Sequence, residues 1–261
     1  MVKLAANLSM LFTDLPFLDR FDAAAKAGFE AVEFLFPYTE TREAVADALT
    51  RNKLQVVLFN FPAGRWDDGE RGLGALPDRV PDFRENVALA LSYAQHLDCK
   101  RLHLMAGITA NYDKAACRKT LVENIRYAAD AVAPSGIDIL LEPINTKVDM
   151  PGYFYATSSE GISVIEEVGR PNVKLQYDIY HQQIMEGDVA RTIETLLPRI
   201  GHMQLADNPG RGEPGTGEIN YPWLLKRIDD LGYDGFVGCE YKPVNGTEAG
   251  LGWAAPYLPK K

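Results

Sequence analysis

Four oxygen-bearing side chains stand at the downstream ends of four short apolar runs: Glu142 in IDILLE, Asp178 in VKLQYD, Gln204 in IGHMQ and Glu240 in FVGCE. A lone carboxylate is costly to desolvate unless a cation or hydrogen bonds compensate it. Oxygen ligands of this kind suit Mg2+ or Mn2+ better than Zn2+. If the four meet in space, they describe a divalent-metal site made by Glu142, Asp178, Gln204 and Glu240 and flanked by two glutamate bases. Each residue also has a plainer reading. Glu142 could open a surface loop, and Asp178 could N-cap the next helix. Gln204 could be a buried amide, and Glu240 could pair with Lys242 on the same strand face. Four coincident strand ends favour the shared site, because in a parallel barrel those ends form the catalytic face.

Other polar residues surround this set. His181 lies three residues beyond Asp178, past the strand end, where it could touch a substrate oxygen. His202 shares the face of Gln204 and reads as its support, whereas His96 and His103 read as structural. The segment DNPGRGEPGTGE is Gly-rich and presents Arg211, a planar cation suited to gripping a carboxylate at two points. Arg71, in GERG, and Lys242 are further candidates for that task. The Gly-rich segment lacks the Gly-Lys-Ser/Thr ending of a phosphate-binding P-loop. Phe12, Phe59 and Trp66 could wall a pocket, with core packing the better reading of the first two. No Ser–His–Asp or Cys–His set is suggested.

The elements that must position these residues alternate along the chain. Strand patterns cover residues 3–7, 31–34, 54–60, 101–105, 138–142, 173–178, 201–206 and 235–240. Helical patterns cover residues 16–27, 40–51, 82–97, 113–132 and 158–168, a segment ending near 197, and residues 221–231. Residues 61–81 form a long irregular stretch rich in Gly and Pro, of the kind used as a lid or binding loop. The tail from residue 246 could form a short closing helix. Long crossovers between strands require parallel pairing, and eight of them imply closure into a (β/α)8 TIM barrel, an α/β fold. An open doubly wound sheet fits less well: no GxGxxG follows the first strand, and the candidate ligands are spread over strands five to eight.

The length of 261 residues suits one barrel of about 250 residues, so a single domain spanning 1–261 is expected. A net charge of −9 disfavours a nucleic-acid partner, since phosphate backbones want clustered Lys and Arg. A small anionic substrate remains compatible, because local basic groups can dominate inside a cleft. Cys99, Cys117 and Cys239 form no CxxC and read as a reducing, cytoplasmic setting. No secretory signal or membrane span is expected, and a homo-oligomer is left open.

Taken together, the segments NLSMLF, FNFPAGRWDDGERG, LLEPIN, QYDIYH, HMQLADNPGRGEPGTGEINY and GCEYKP make the chain resemble the hydroxypyruvate isomerase family, within the xylose isomerase-like TIM barrels. The likeness runs essentially end to end. It implies Glu142 and Glu240 as the catalytic acid–base pair, with Asp178 and Gln204 completing a site for Mg2+ or Mn2+. His181 and Arg211 match positions that contact substrate in related ketose epimerases, which usually place a histidine where Gln204 stands. The implied reaction interconverts hydroxypyruvate and tartronate semialdehyde through an enediolate. Isomerisation of the four-carbon acid 2-oxo-tetronate, or ketose 3-epimerisation, would use the same glutamates.

Overall fold

The computed structural model describes residues 1–259; residues 260 and 261 of the expected domain lie outside the described residues. The strands are β1 (Lys3–Asn7), β2 (Ala31–Phe34), β3 (Gln55–Asn60), β4 (Arg101–His103), β5 (Asp138–Leu141), β6 (Val173–Asp178), β7 (Ile200–Leu205) and β8 (Phe236–Cys239). Each pairs in parallel with the next, and β8 closes on β1 with Leu4 opposite Val237 and Ala6 opposite Cys239. The sequence expectation of a (β/α)8 barrel is met.

The crossovers carry α1 (Asp19–Ala27), α2 (Arg42–Asn52), α3 (Val80–His96), α4 (Lys114–Val132), α5 (Ser158–Val168), α6 (Ile179–Met185), α7 (Val189–Leu196) and α8 (Tyr221–Asp230), with α9 (Thr247–Gly250) in the tail. Local chemistry sets several boundaries. Thr41 and Asp113 cap α2 and α4, and Thr157 with Glu160 forms a capping box on α5, each satisfying amides that the first turn leaves unpaired. Helix α3 begins earlier than its pattern suggests, because Pro81 falls in the first turn, where its missing N–H costs nothing. The segment expected as one helix after β6 is two, α6 and α7, broken at Gly187 and Asp188, both at positive φ. No helix among the described residues is long and apolar enough to cross a membrane.

Two cores follow from the alternation of side chains along each strand. Outward-facing residues pack against the helices in one large apolar cluster. Inside the barrel Ala5, Ala31 and Val57 form a small apolar floor. Two residues further along β1 and β2, on the same face, stand Asn7 and Glu33, both buried. The interior therefore turns from apolar to polar toward the C-terminal ends of the strands, where the candidate residues sit.

Space in this polar layer is tight. A Cβ on Gly238 of β8 would collide with the Glu33 carboxylate. Gly238→Ala is therefore expected to lower the free energy of unfolding by about 1–3 kcal/mol, the usual cost of overpacking, as measured by urea denaturation. Wild-type stability in this variant would show that the layer yields.

Candidate active site

The strand tips bring the predicted residues together. Glu142 follows the last residue of β5, Asp178 ends β6, Gln204 lies in β7 and Glu240 follows β8; all four are buried. Glu142, Gln204 and Glu240 line one cavity of about 100 Å3 with His181, Arg211 and His103. Trp66 and Met10 contribute to its wall, whereas Phe12 and Phe59 belong to the core.

Asp178 does two jobs. Its Oδ1 caps α6 by accepting from the backbone amides of Tyr180 and His181 at 2.7 and 3.2 Å, which aims His181 at the cavity. Among the described residues its Oδ2, like Oε1 of Glu142, is buried without a hydrogen-bond partner. Ligand atoms of Glu142, Asp178 and His181 lie within 4.8 Å of one another. Two orphaned carboxylate oxygens converging in this way fit a hard divalent cation.

The proton on His181 can be placed from its neighbours. Asn145 Oδ1 accepts from the backbone amides of Val148 and Asp149, both at 3.0 Å, so its Nδ2 must be the atom 2.7 Å from His181 Nδ1. The neutral imidazole then carries its proton on Nε2, 3.8 Å from Glu142 and 3.9 Å from Asp178. Burial pushes the His181 pKa down to about 4 and that of His103 to about 3. These histidine–carboxylate approaches are therefore not ion pairs, and His181 faces the cavity as a hydrogen-bond donor.

Gln204 is placed differently from the expectation of a free oxygen ligand. Its Oε1 accepts from Gln176 Nε2 at 2.6 Å and its Nε2 donates to Glu33 Oε1 at 2.8 Å, so the amide is engaged at both ends. Glu33 also accepts from Asn7 Nδ2 at 3.0 Å and pairs with His202 Nε2 at 2.6 Å. The expected support of Gln204 by His202 thus runs through Glu33, a residue that sequence reasoning did not single out. Its signal was present: an acidic residue inside the apolar run AVEF. Gln176, two residues before Asp178 on the same strand face, was likewise overlooked.

Arg211 is brought over the barrel mouth by the Gly-rich loop after β7. Asp207, buried at the loop's base, accepts four backbone amides, from Asn208, Gly215, Gly217 and Ile219, at 2.9–3.0 Å. A Cβ on Gly217 would strike Asp207 and the Asn208 carbonyl. The Lys242 amide donates to the Arg211 carbonyl at 2.7 Å. The guanidinium so held reaches Glu240 Oε2 at 3.0 Å and Asp149 Oδ1 at 3.3 Å, and lies 5.0 Å from the centre of the Tyr180 ring. The Lys242 side chain itself is exposed and does not line the cavity. Arg71 borders a neighbouring groove, where it stacks 4.0 Å from the Trp66 ring centre and donates to the Trp66 carbonyl at 2.8 Å. It braces a wall residue instead of entering the cavity.

Electrostatically the site is short of positive charge. Burial, then the neighbouring Glu240 and Asp178, raises the pKa of Glu142 well above the ordinary carboxylate range. Burial pushes Glu240 up to about 8, against the opposing pull of Arg211. A value near 8 suits a group that exchanges protons near neutrality.

These features coincide with known relationships. Residues 21–257 match the family model described as xylose isomerase-like TIM barrel, and the chain belongs to that family. It is 51% identical over 259 residues, 99% of each chain, to the 2-oxo-tetronate isomerase of Cupriavidus necator. It is 48% identical to the hydroxypyruvate isomerase of Escherichia coli, over 98% of this chain and 100% of that one. The crystal structure of AP endonuclease, family 2, from Brucella melitensis superposes with a TM-score of 0.97 at 50% identity, covering 99% of this chain and 100% of that one.

The raised pKa of Glu240 makes stability depend on pH. Between the ordinary 4.5 and about 8, the folded chain keeps a proton on Glu240 that the unfolded chain has released, so stability is lost as pH rises through this interval. Glu240→Gln is expected to flatten that decline in urea-denaturation free energies. A slope identical to the wild type would show that Glu240 titrates normally.

Proposed function

We propose that this protein is an intramolecular oxidoreductase of small hydroxy-oxo acids, interconverting hydroxypyruvate and tartronate semialdehyde. The observation that carries the reading is the buried pair Glu142 and Glu240, both with raised pKa, opening from different strands onto one small cavity. The names of the relatives from E. coli and C. necator support the three-carbon acid and its four-carbon homologue 2-oxo-tetronate, respectively.

The residues fit the chemistry as follows. In hydroxypyruvate, C3 carries a hydroxyl and two hydrogens beside the C2 ketone. One glutamate takes a C3 proton, and the electron pair moves into the C2 carbonyl to give an enediolate. The second glutamate delivers a proton to C2, while the C3 oxygen gives up its proton and the C2 oxygen gains one, leaving an aldehyde at C3. The His181 Nε2–H is placed to stabilise negative charge developing on oxygen. Arg211 supplies the cation for the substrate carboxylate, moving part of its hold from Glu240 and Asp149 to the ligand. Glu142 and Asp178, with Glu240 beside them, are the groups that would hold Mg2+ or Mn2+. Such an ion, when bound, would polarise substrate oxygens as a Lewis acid.

A phosphodiester substrate is disfavoured by the net charge of −9 and by the carboxylates crowding the site.

In D2O, the wild type is expected to interconvert the two three-carbon acids with deuterium entering at C2 and C3, as followed by NMR with Mg2+, with Mn2+ or with chelator. Glu142→Gln and Glu240→Gln should each reduce turnover by about 10²-fold or more, the usual scale of general acid–base catalysis. Near-normal turnover in either variant would remove that residue from the mechanism. Faster turnover of a neutral ketose than of either acid would overturn the substrate class.

A further inference from the structure

Gln176 is almost completely buried, lines the cavity and takes no part in the steps above. Among the described residues its Oε1 has no hydrogen-bond partner, yet a buried amide oxygen normally has one. Amide oxygen and nitrogen are distinguished by their partners, and here a chain of partners fixes the orientation.

The chain begins at Glu33 Oε1, which faces two amide nitrogens, Asn7 Nδ2 at 3.0 Å and Gln204 Nε2 at 2.8 Å. Asn7 cannot be turned round, because its Oδ1 accepts from the Ser9 amide at 3.0 Å. Oε1 already accepts from Asn7, and any proton shared between Glu33 and His202 lies on the other side, at Oε2, so Oε1 is left as an acceptor. Gln204 must therefore present nitrogen to Glu33 and oxygen to Gln176, whose Nε2 donates to it at 2.6 Å. That leaves Gln176 Oε1 as an acceptor, and nothing else among the described residues satisfies it.

We propose that Gln176 is a specificity-determining residue, its Oε1 accepting a hydrogen bond from the C3 hydroxyl of the substrate, and that Glu33 is a positioning residue setting this polarity through Gln204. The inference rests on the function proposed above. In hydroxypyruvate the carboxylate and ketone oxygens are acceptors only, so the hydroxyl is the one group that can donate to Gln176. It sits on the carbon that loses its proton to the glutamate pair. Pyruvate, which differs only by lacking that hydroxyl, leaves Gln176 unsatisfied and should bind more weakly. A site built around a substrate hydroxyl discriminates strongly against the analogue lacking it.

The test compares kcat/KM for hydroxypyruvate with the inhibition constant for pyruvate in wild type, Gln176→Met and Glu33→Gln, with thermal melting to establish that each variant is folded. Gln176→Met removes the acceptor at similar size. Glu33→Gln lets the relay run in either direction, so Gln176 can offer nitrogen in place of oxygen. Each variant is expected to lose about tenfold or more in kcat/KM for hydroxypyruvate, the scale of an unmade hydrogen bond, while the pyruvate constant stays within about twofold. A general structural defect would weaken both ligands together and overturns the proposal, as does a wild-type ratio of the two constants in either folded variant. A wild type that does not interconvert hydroxypyruvate fails the function instead, so the two failures are separable.

Discussion

Everything at the mouth of this barrel is constrained by crowding of negative charge. Glu33, Glu142, Asp178 and Glu240 are buried, and among the described residues the cation at their centre is the guanidinium of Arg211, 3.0 Å from Glu240 and 3.9 Å from Asp178. His103 and His181 do not relieve the imbalance, because burial holds both neutral. Desolvation with too few matching cations raises a carboxyl's pKa, which is the direction of shift at both Glu142 and Glu240. The stability lost by placing them here comes from the same desolvation that raises their pKa. On the proposed function, an anionic substrate entering this cluster would compete for Arg211 and so link binding to the protonation of the two glutamates.

The fold supports the cluster with hydrogen bonds from backbone and amides instead of with opposite charge. Asp178 spends one oxygen on the first turn of α6, which both lowers the cost of burying it and fixes the direction of His181. Asp207 gathers the Gly-rich loop on four amides so that Arg211, at positive φ, points inward. Glu33 is held by Asn7, Gln204 and His202 from two strands. In each case an acceptor-only group collects donors from the chain, and a functional side chain is oriented as the consequence.

How much of this was legible in the sequence depended on whether a residue's partners are local. Strand tips could be read because a polar residue ending an apolar run is visible within six positions, and Glu142, Asp178, Gln204 and Glu240 do meet. The barrel itself could be read from the spacing of crossovers. Glu33 shows the same pattern in AVEF, but its importance comes from Asn7 and His202, which lie 26 and 169 residues away, and no local rule connects them. The role of Gln204 was obscured for the same reason: whether an amide is a ligand or a link is decided by what stands across the barrel. Arg71 and Lys242 had the right chemistry for gripping a carboxylate. The path of the long loop after β3 places Arg71 against Trp66, and the turn after β8 leaves the Lys242 side chain in solvent.

The two amide chains also explain why a cavity lined by carboxylates can recognise a hydroxy-ketone. From one side, backbone amides fix Asn145 Oδ1, so Asn145 Nδ2 donates to His181 Nδ1 and the imidazole offers a donor on Nε2. From the other side, Glu33 fixes Gln204, and Gln176 offers an acceptor. A ketone oxygen needs a donor and a hydroxyl needs an acceptor, so on the proposed function these opposite polarities would distinguish the two adjacent carbons of the substrate before any proton moves. Both chains are anchored on fixed partners, backbone N–H groups in one and, in the other, a Glu33 oxygen that accepts from Asn7 while His202 faces its companion. The pattern therefore persists without rotamer choice at His181 or Gln176. That asymmetry gives a nearly uniform ring of acidic strand ends a direction, and on the proposed function it would hold C2 and C3 in non-equivalent positions between Glu142 and Glu240.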